Sequence, residues 1–197
     1  MSIITSLLET KKLDSRMVDW LKASLEIDYS AIVLGEPSDR VQIVNLLKAL
    51  GENDFKVYDI KSAHTLIGIL EDELPFNEYD RVHVNLDVDA IKRPYFDALF
   101  SRKIRGIAES GAPDLKSLVS TLENKGVIRA KLLNNFFMQV ARGGIVDKIG
   151  EVVDVEPSTN ELATCTVFEY SAGAENWVHS GTSYILQKAN VKYKDLG

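Results

Sequence analysis

Cysteine is nearly absent from this chain. The single thiol, Cys165, excludes an intramolecular disulfide and any thiolate metal cluster, and a chain without disulfides suits the reducing cytoplasm. Histidine is scarce too: His64, His83 and His179 stand at no metal-binding spacing. No apolar run approaches the roughly 20 residues needed to span a bilayer, and the opening stretch MSIITSLLE turns acidic too early for a signal peptide. Positive charge is in deficit, with 23 basic residues against 29 acidic and a formal net charge of −6. That balance argues against a general nucleic-acid surface. What is present is 197 residues of 45% hydrophobic content, enough to bury the core of one domain and too apolar for a disordered chain.

The periodicity predicts alternating helices and strands over residues 1–144. An amphipathic helix at 14–26 turns Met17, Trp20, Leu21 and Leu25 inward, with Asp14 or Ser15 as its N-cap. Buried strands follow at 29–35, 55–60, 81–86, 104–108 and 136–141, with helices expected at 41–50, 64–72, 89–101 and 113–123 and a helical turn at 130–134. This rhythm means an α/β fold with a mostly parallel sheet covered on both faces. Beyond Gly143 and Gly144 it changes to strands and turns, so residues 145–197 read as an antiparallel β-meander attached to the same domain.

One segment has the outline of a phosphate-binding strand–loop–helix without its chemistry. A phosphate loop would be G-x-x-x-x-G-K-S/T; the chain supplies Gly35, Glu36, Pro37, Ser38, Asp39, Arg40, Val41 and Gln42. Arg40 stands in place of the second glycine, and its side chain crowds the backbone nest. Val41 replaces the lysine that reaches the phosphates, and Gln42 replaces the hydroxyl that ligates magnesium. Glu36 and Asp39 put negative charge where an anion would sit, against the preference of a helix N-terminus.

Taken in order, these pieces resemble the C-terminal motor domain of the type II/type IV secretion ATPase superfamily, above all its archaeal pilus and archaellum members. The likeness is carried by the helix LDSRMVDWLKASLE at 13–26, the strand and turn VDKIGEVVDVEP at 146–157, TVFE at 166–169 and SGTSYILQK at 180–188. It implies a RecA-type P-loop core, in a chain that carries the motor domain without the family's N-terminal domain. The departures fall on the catalytic machinery. The family's second nucleotide motif, a strand ending in glycine and glutamate, aligns with Asn85 and Leu86, with Asp87 one place beyond. Its histidine box falls near Ser110 and Gly111, where there is no histidine. The resemblance thus implies the fold, while the substitutions argue against ATPase activity.

The expected function is therefore that of a catalytically inactive secretion-ATPase-like protein of the cytoplasm. It would act through protein contacts, with no catalytic residue and no cofactor. Its partner would be a secretion-type ATPase or a second copy of this chain. Arg102, Lys103 and Arg105 form either an interaction patch or a solvated helix end. The alternatives are nucleotide binding without hydrolysis, or a metal-dependent nucleotide or nucleotide-sugar transferase. In the latter, Asp87 and Asp89 would hold Mg2+ or Mn2+, although Asp89 also suits the N-cap of the following helix. His83 alternates with Val82 and Val84 and reads as a hydrogen-bonded structural histidine, and Cys165 as a strand residue with an apolar role.

Overall fold

The computed structural model describes residues 2–26, 29–50, 56–60, 81–87, 105–124, 132–133, 135–155, 161–180 and 183. Four helices are seen among them: α1 (Ile3–Glu9), α2 (Ser15–Glu26), α3 (Pro37–Leu50) and α4 (Leu115–Asn124). The strands are β1 (Ser30–Leu34), β2 (Val57–Ile60), β3 (Arg81–Asn85), β4 (Arg105–Ser110), β5 (Asn135–Val140), β6 (Val146–Val155), β7 (Leu162–Ser171) and β8 (Asn176–His179). They form one sheet in the order β2-β3-β4-β1-β5-β6-β7-β8. Pairing is parallel from β2 to β5 and antiparallel from β5 to β8. The architecture is thus mixed α/β with antiparallel C-terminal strands, as the change of rhythm after Gly144 predicts. Expected helices at 64–72 and 89–101, and the apolar stretch at 184–187, lie outside the described residues.

The strand period of two sorts the core into two layers. On one face Ala31, Val33, Ile107, Phe136 and Met138 pack with Met17, Trp20 and Leu21 of α2 and Ile43, Leu46 and Leu47 of α3. On the other, Ile32, Leu34, Val82, Val84, Ala108 and Phe137 pack with Leu115, Leu118 and Leu122 of α4. Val146, Ile149, Phe168 and Trp177 of the C-terminal strands belong to the first layer. There the Trp20 ring meets Phe136 edge-on at 5.2 Å and Phe168 at 6.4 Å. The Trp177 indole donates to Val146 O at 2.6 Å. The meander therefore shares its hydrophobic layer with α2 and α3.

Polar side chains close the helix ends. Asp14 caps α2 by accepting from Met17 N at 3.1 Å, and Asp114 caps α4 by accepting from Ser117 N at 2.7 Å. The backbone and side-chain hydrogen bonds from Ser117 hold the Asp114 carboxyl below its ordinary range. At the other end of α2, the buried Arg81 donates to Leu25 O and to Tyr29 O, satisfying carbonyls where the helix dipole favours a cation. Helix α1 was not legible as an element: of its seven residues only Leu7 is buried, too few to show a period. No helix among the described residues is long and apolar enough to cross a membrane.

Helix α3 begins at Pro37, earlier than the periodic stretch at 41–50 indicates. Proline fits the first helical position, where its fixed φ is already helical and its missing N–H costs nothing. Glu36 O accepts from Asp39 N and Arg40 N, both at 3.0 Å. Two residues, Gly35 and Glu36, thus connect β1 to α3, and residues 37–42 of the phosphate-loop alignment are helical.

Candidate functional site

Helices α3 and α4 lie on opposite faces of the sheet and follow the neighbouring strands β1 and β4. In open α/β sheets, this divergence opens a crevice beyond the carboxyl ends of the strands, where ligands bind. Here the crevice holds a guanidinium. Arg40, in the first turn of α3, is 1% exposed and donates through all three of its nitrogens: Nε to Glu109 Oε2 at 2.8 Å, one Nη to Gly35 O at 2.7 Å, and the other to Asp87 Oδ2 at 3.1 Å.

Each acceptor is fixed by its own element. Gly35 follows β1 with φ at +134°, donates to Ser110 O at 3.1 Å, and lies so close to β5 that a Cβ would meet Val140 O at 2.5 Å. Only glycine has both the conformation and the room. Asp87 follows β3. Its Oδ1 accepts from Ser110 Oγ and its Oδ2 from Gly111 N, both at 2.8 Å, while its own N–H donates to Asn85 Oδ1 at 2.9 Å. Glu109 stands in β4, level with Val33 and Asn85 in the pairing. That register points it toward α3.

The network continues away from the crevice. Glu109 Oε1 lies 3.1 Å from His83 Nε2, and His83 Nδ1 lies 2.8 Å from Asp59 Oδ1. Asp59 also accepts from Lys48 Nζ at 2.6 Å. Arg40, Val44 and Lys48 recur every four residues, which puts them along one stripe of α3. Asp59 and His83 face each other across the β2–β3 register. The hydrogen bond to His83, opposed by burial and reinforced by Arg40, holds the Glu109 carboxyl at about 2, well below its ordinary 4.5. Burial tends to raise the Asp59 carboxyl, but hydrogen bonds from Lys48 and His83 outweigh it and leave the group lowered.

A cation in the first turn of a helix opposes the helix dipole. Two carboxylates offset that here, and the result is an internally ion-paired cluster where an α/β fold offers its ligand site. A phosphate brought to this position would meet Glu109 and Asp87 and would have to displace the guanidinium.

The remaining sequence-singled residues divide plainly. Asp39 turns aside to accept from Gly143 N at 3.0 Å, and Gln42 Oε1 accepts from Lys12 Nζ at 2.8 Å, so both brace the edge of the crevice. Val41 is 47% exposed. Asp89, Arg102, Lys103 and His64 lie outside the described residues, and of Arg105 only the backbone is described, at the start of β4. His179 lies in β8 with its ring 5.0 Å from Phe168. Cys165 is half-buried in β7, its thiol pushed up by burial and by the Glu151 charge, which disfavours a nucleophilic thiolate. Glu109, Lys48 and Asp59 complete a cluster that the sequence does not assemble. The only local sign was a charged pair, Arg40 and Lys48, on the same stripe as the apolar Val44.

No protein-family model matches the chain, and no curated protein matches it. A separate groove of about 570 Å³ lies on the α4 face, lined among others by Leu115, Val119, Phe137, Gln139, Lys148 and Thr164. It shares no lining residue with the Arg40 cluster. Among the described residues no group of three or more histidine, cysteine, aspartate or glutamate side chains is placed to hold a metal ion.

Proposed function

We propose that this chain is a degenerate RecA-type P-loop protein in which an internal ion-pair network stands where relatives hold nucleotide, and that it acts through protein contacts without turning over ATP. One observation carries this reading. The resemblance aligns three separate stretches with nucleotide motifs: the phosphate loop at 35–42, the second motif at 85–87 and the histidine box at 110–111. All three meet at one point, because Arg40 donates to Gly35 O and to Asp87 Oδ2, while Gly111 N donates to that same oxygen and Ser110 Oγ to Asp87 Oδ1. Such convergence at the strand ends is what a RecA-type core would require. Occupation by Arg40, together with the loss of the lysine, removes the electrostatic stabilisation on which phosphoryl transfer depends.

The protein contacts in this reading are those of the motor family it resembles: a genuine secretion-type ATPase, or a second copy of the chain. Two measurements test it. Purified protein with magnesium and ATP should release phosphate no faster than buffer. Protein-dependent hydrolysis that disappears in Asp87→Asn would overturn the inactive reading. Sedimentation of the chain alone, and with a motor ATPase from the same cell, should reveal a homo-oligomer or a mixed complex. A strict monomer that binds no motor subunit at low salt would overturn the contact reading.

A further inference from the structure

A line of charged side chains runs from the outer strand β2 to the crevice: Lys48, Asp59, His83, Glu109, Arg40 and Asp87. His83 joins the β2 carboxylate to the β4 carboxylate, and histidine is the side-chain type whose charge can change near neutral pH. We infer that His83 is a proton-operated tie: charged, it binds the carboxylates of β2 and β4 together and steadies the seat of Arg40; uncharged, it lets go of Glu109.

The argument is one of donors and acceptors. Both ring nitrogens face carboxylate oxygens, Nδ1 at 2.8 Å from Asp59 and Nε2 at 3.1 Å from Glu109. A neutral imidazole has one N–H and one lone pair, whereas imidazolium has two N–H groups. Only the imidazolium satisfies both contacts; the neutral ring turns a lone pair toward an anionic oxygen. Charge counting agrees. Among the described residues, Asp59 of β2 and Glu109 of β4 face the ring directly, with Lys48 and Arg40 of α3 behind them and Asp87 at the far end. Three carboxylates face two permanent cations, and a proton on His83 supplies the third.

The geometry also selects which contact fails. The Asp59 contact is the shorter, so a neutral ring keeps its proton there and presents its lone pair to Glu109. Glu109 then holds Arg40 without a second anchor, in the strand next to β1. The low Glu109 carboxyl value, for which His83 is the leading cause, reflects the same coupling. His83 is 13% exposed and Asp59 48%, so a proton from solvent can reach the pair. Rising pH would therefore loosen the closure of the crevice from beneath α3. This holds whether or not the site descends from a nucleotide site.

Two measurements on the full chain test it. The first is nitrogen-15 NMR of the imidazole, using the His64→Gln, His179→Gln double variant to leave His83 as the sole histidine. At about pH 6 the ring should show two hydrogen-bonded N–H groups; a single neutral tautomer at that pH overturns the tie. The second is the melting temperature between about pH 5.5 and about pH 8. It should fall by about 3–6 °C in the wild type, beyond any slope kept by His83→Gln, which donates but does not titrate. Parallel profiles overturn the proposal. If His83→Gln does not fold, the NMR measurement decides alone.

Discussion

Arg40 and Asp87 are 47 residues apart in the chain and 3.1 Å apart at the carboxyl end of the sheet. The guanidinium is almost wholly buried, while the aspartate is 42% exposed. Solvent thus reaches the cluster from the aspartate side, and Glu109, 15% exposed, is the inner counterion.

Removing the cation should be costly. Arg40→Met keeps the apolar stem but leaves Glu109, which is partly exposed, with His83 as its remaining partner, so the cost should fall below the roughly 3–5 kcal/mol of breaking a fully buried pair. Urea denaturation should register that loss. Arg40→Lys should recover only part of it, since a point charge cannot serve three acceptors. Adding Glu109→Gln to Arg40→Met should restore some stability through coupling.

Acid should act through Glu109. Its folded-state carboxyl is lowered to about 2 from an ordinary 4.5. Its contribution is therefore complete above about 4.5 and fades as pH falls toward about 2. Glu109→Gln should flatten that limb of the stability profile. An unchanged acid limb in the variant would assign the loss to other carboxylates.

Gly35→Ala should destabilise by at least about 2 kcal/mol. The position combines φ at +134° with a Cβ that would stand 2.5 Å from Val140 O. By contrast, Gly173→Ala meets nothing within 4 Å and should stay within about 0.5 kcal/mol of wild type. Melting curves of the two variants give the comparison.

Trp177→Ala should cost about 3–5 kcal/mol, because the indole is buried in the layer shared with α2 and its Nε1 holds Val146 O. Cutting the chain after residue 144 should give insoluble protein, since Trp20 would lose Phe168 as a neighbour and β5 would lose its pairing with β6. A soluble 1–144 fragment with a cooperative melt would mean that the meander is a separate module.

Much of the fold is legible in the sequence, because burial writes a period. Residues 30–34 form an unbroken buried strand and read as one. Asp14 marks a helix start by residue type, and the shift to antiparallel pairing follows the glycines at 143 and 144. The start of α3 is hidden, because GEPSD also has the composition of a loop. Its Pro37 is a helix-starting residue only once the chain is known to turn at Gly35. The cluster itself is illegible for a different reason. Its contacts join residues 23 to 69 positions apart, apart from Lys48 and Asp59 at 11 and Arg40 and Gly35 at 5. Nothing in the local pattern marks Glu109 as the acceptor for Arg40. Arg40 crowding the turn after Gly35 is legible in the sequence, but the carboxylates that hold it there are not.

The brevity of the connection between β1 and α3 makes this helix a keyed part. Arg40 and Lys48 reach their carboxylates only because Pro37 starts the helix at a fixed rotation. One residue inserted between Pro37 and Arg40 would turn everything beyond it by about 100°. Both cations would leave their partners together, and Arg40 would take the solvent-facing place that Val41 now holds. A single insertion there would strike the whole cluster at once, while one at Gly173, with open space around it, would only lengthen a turn. Length variation among sequences of this kind should therefore collect at the β7–β8 turn and be missing from the first turn of α3.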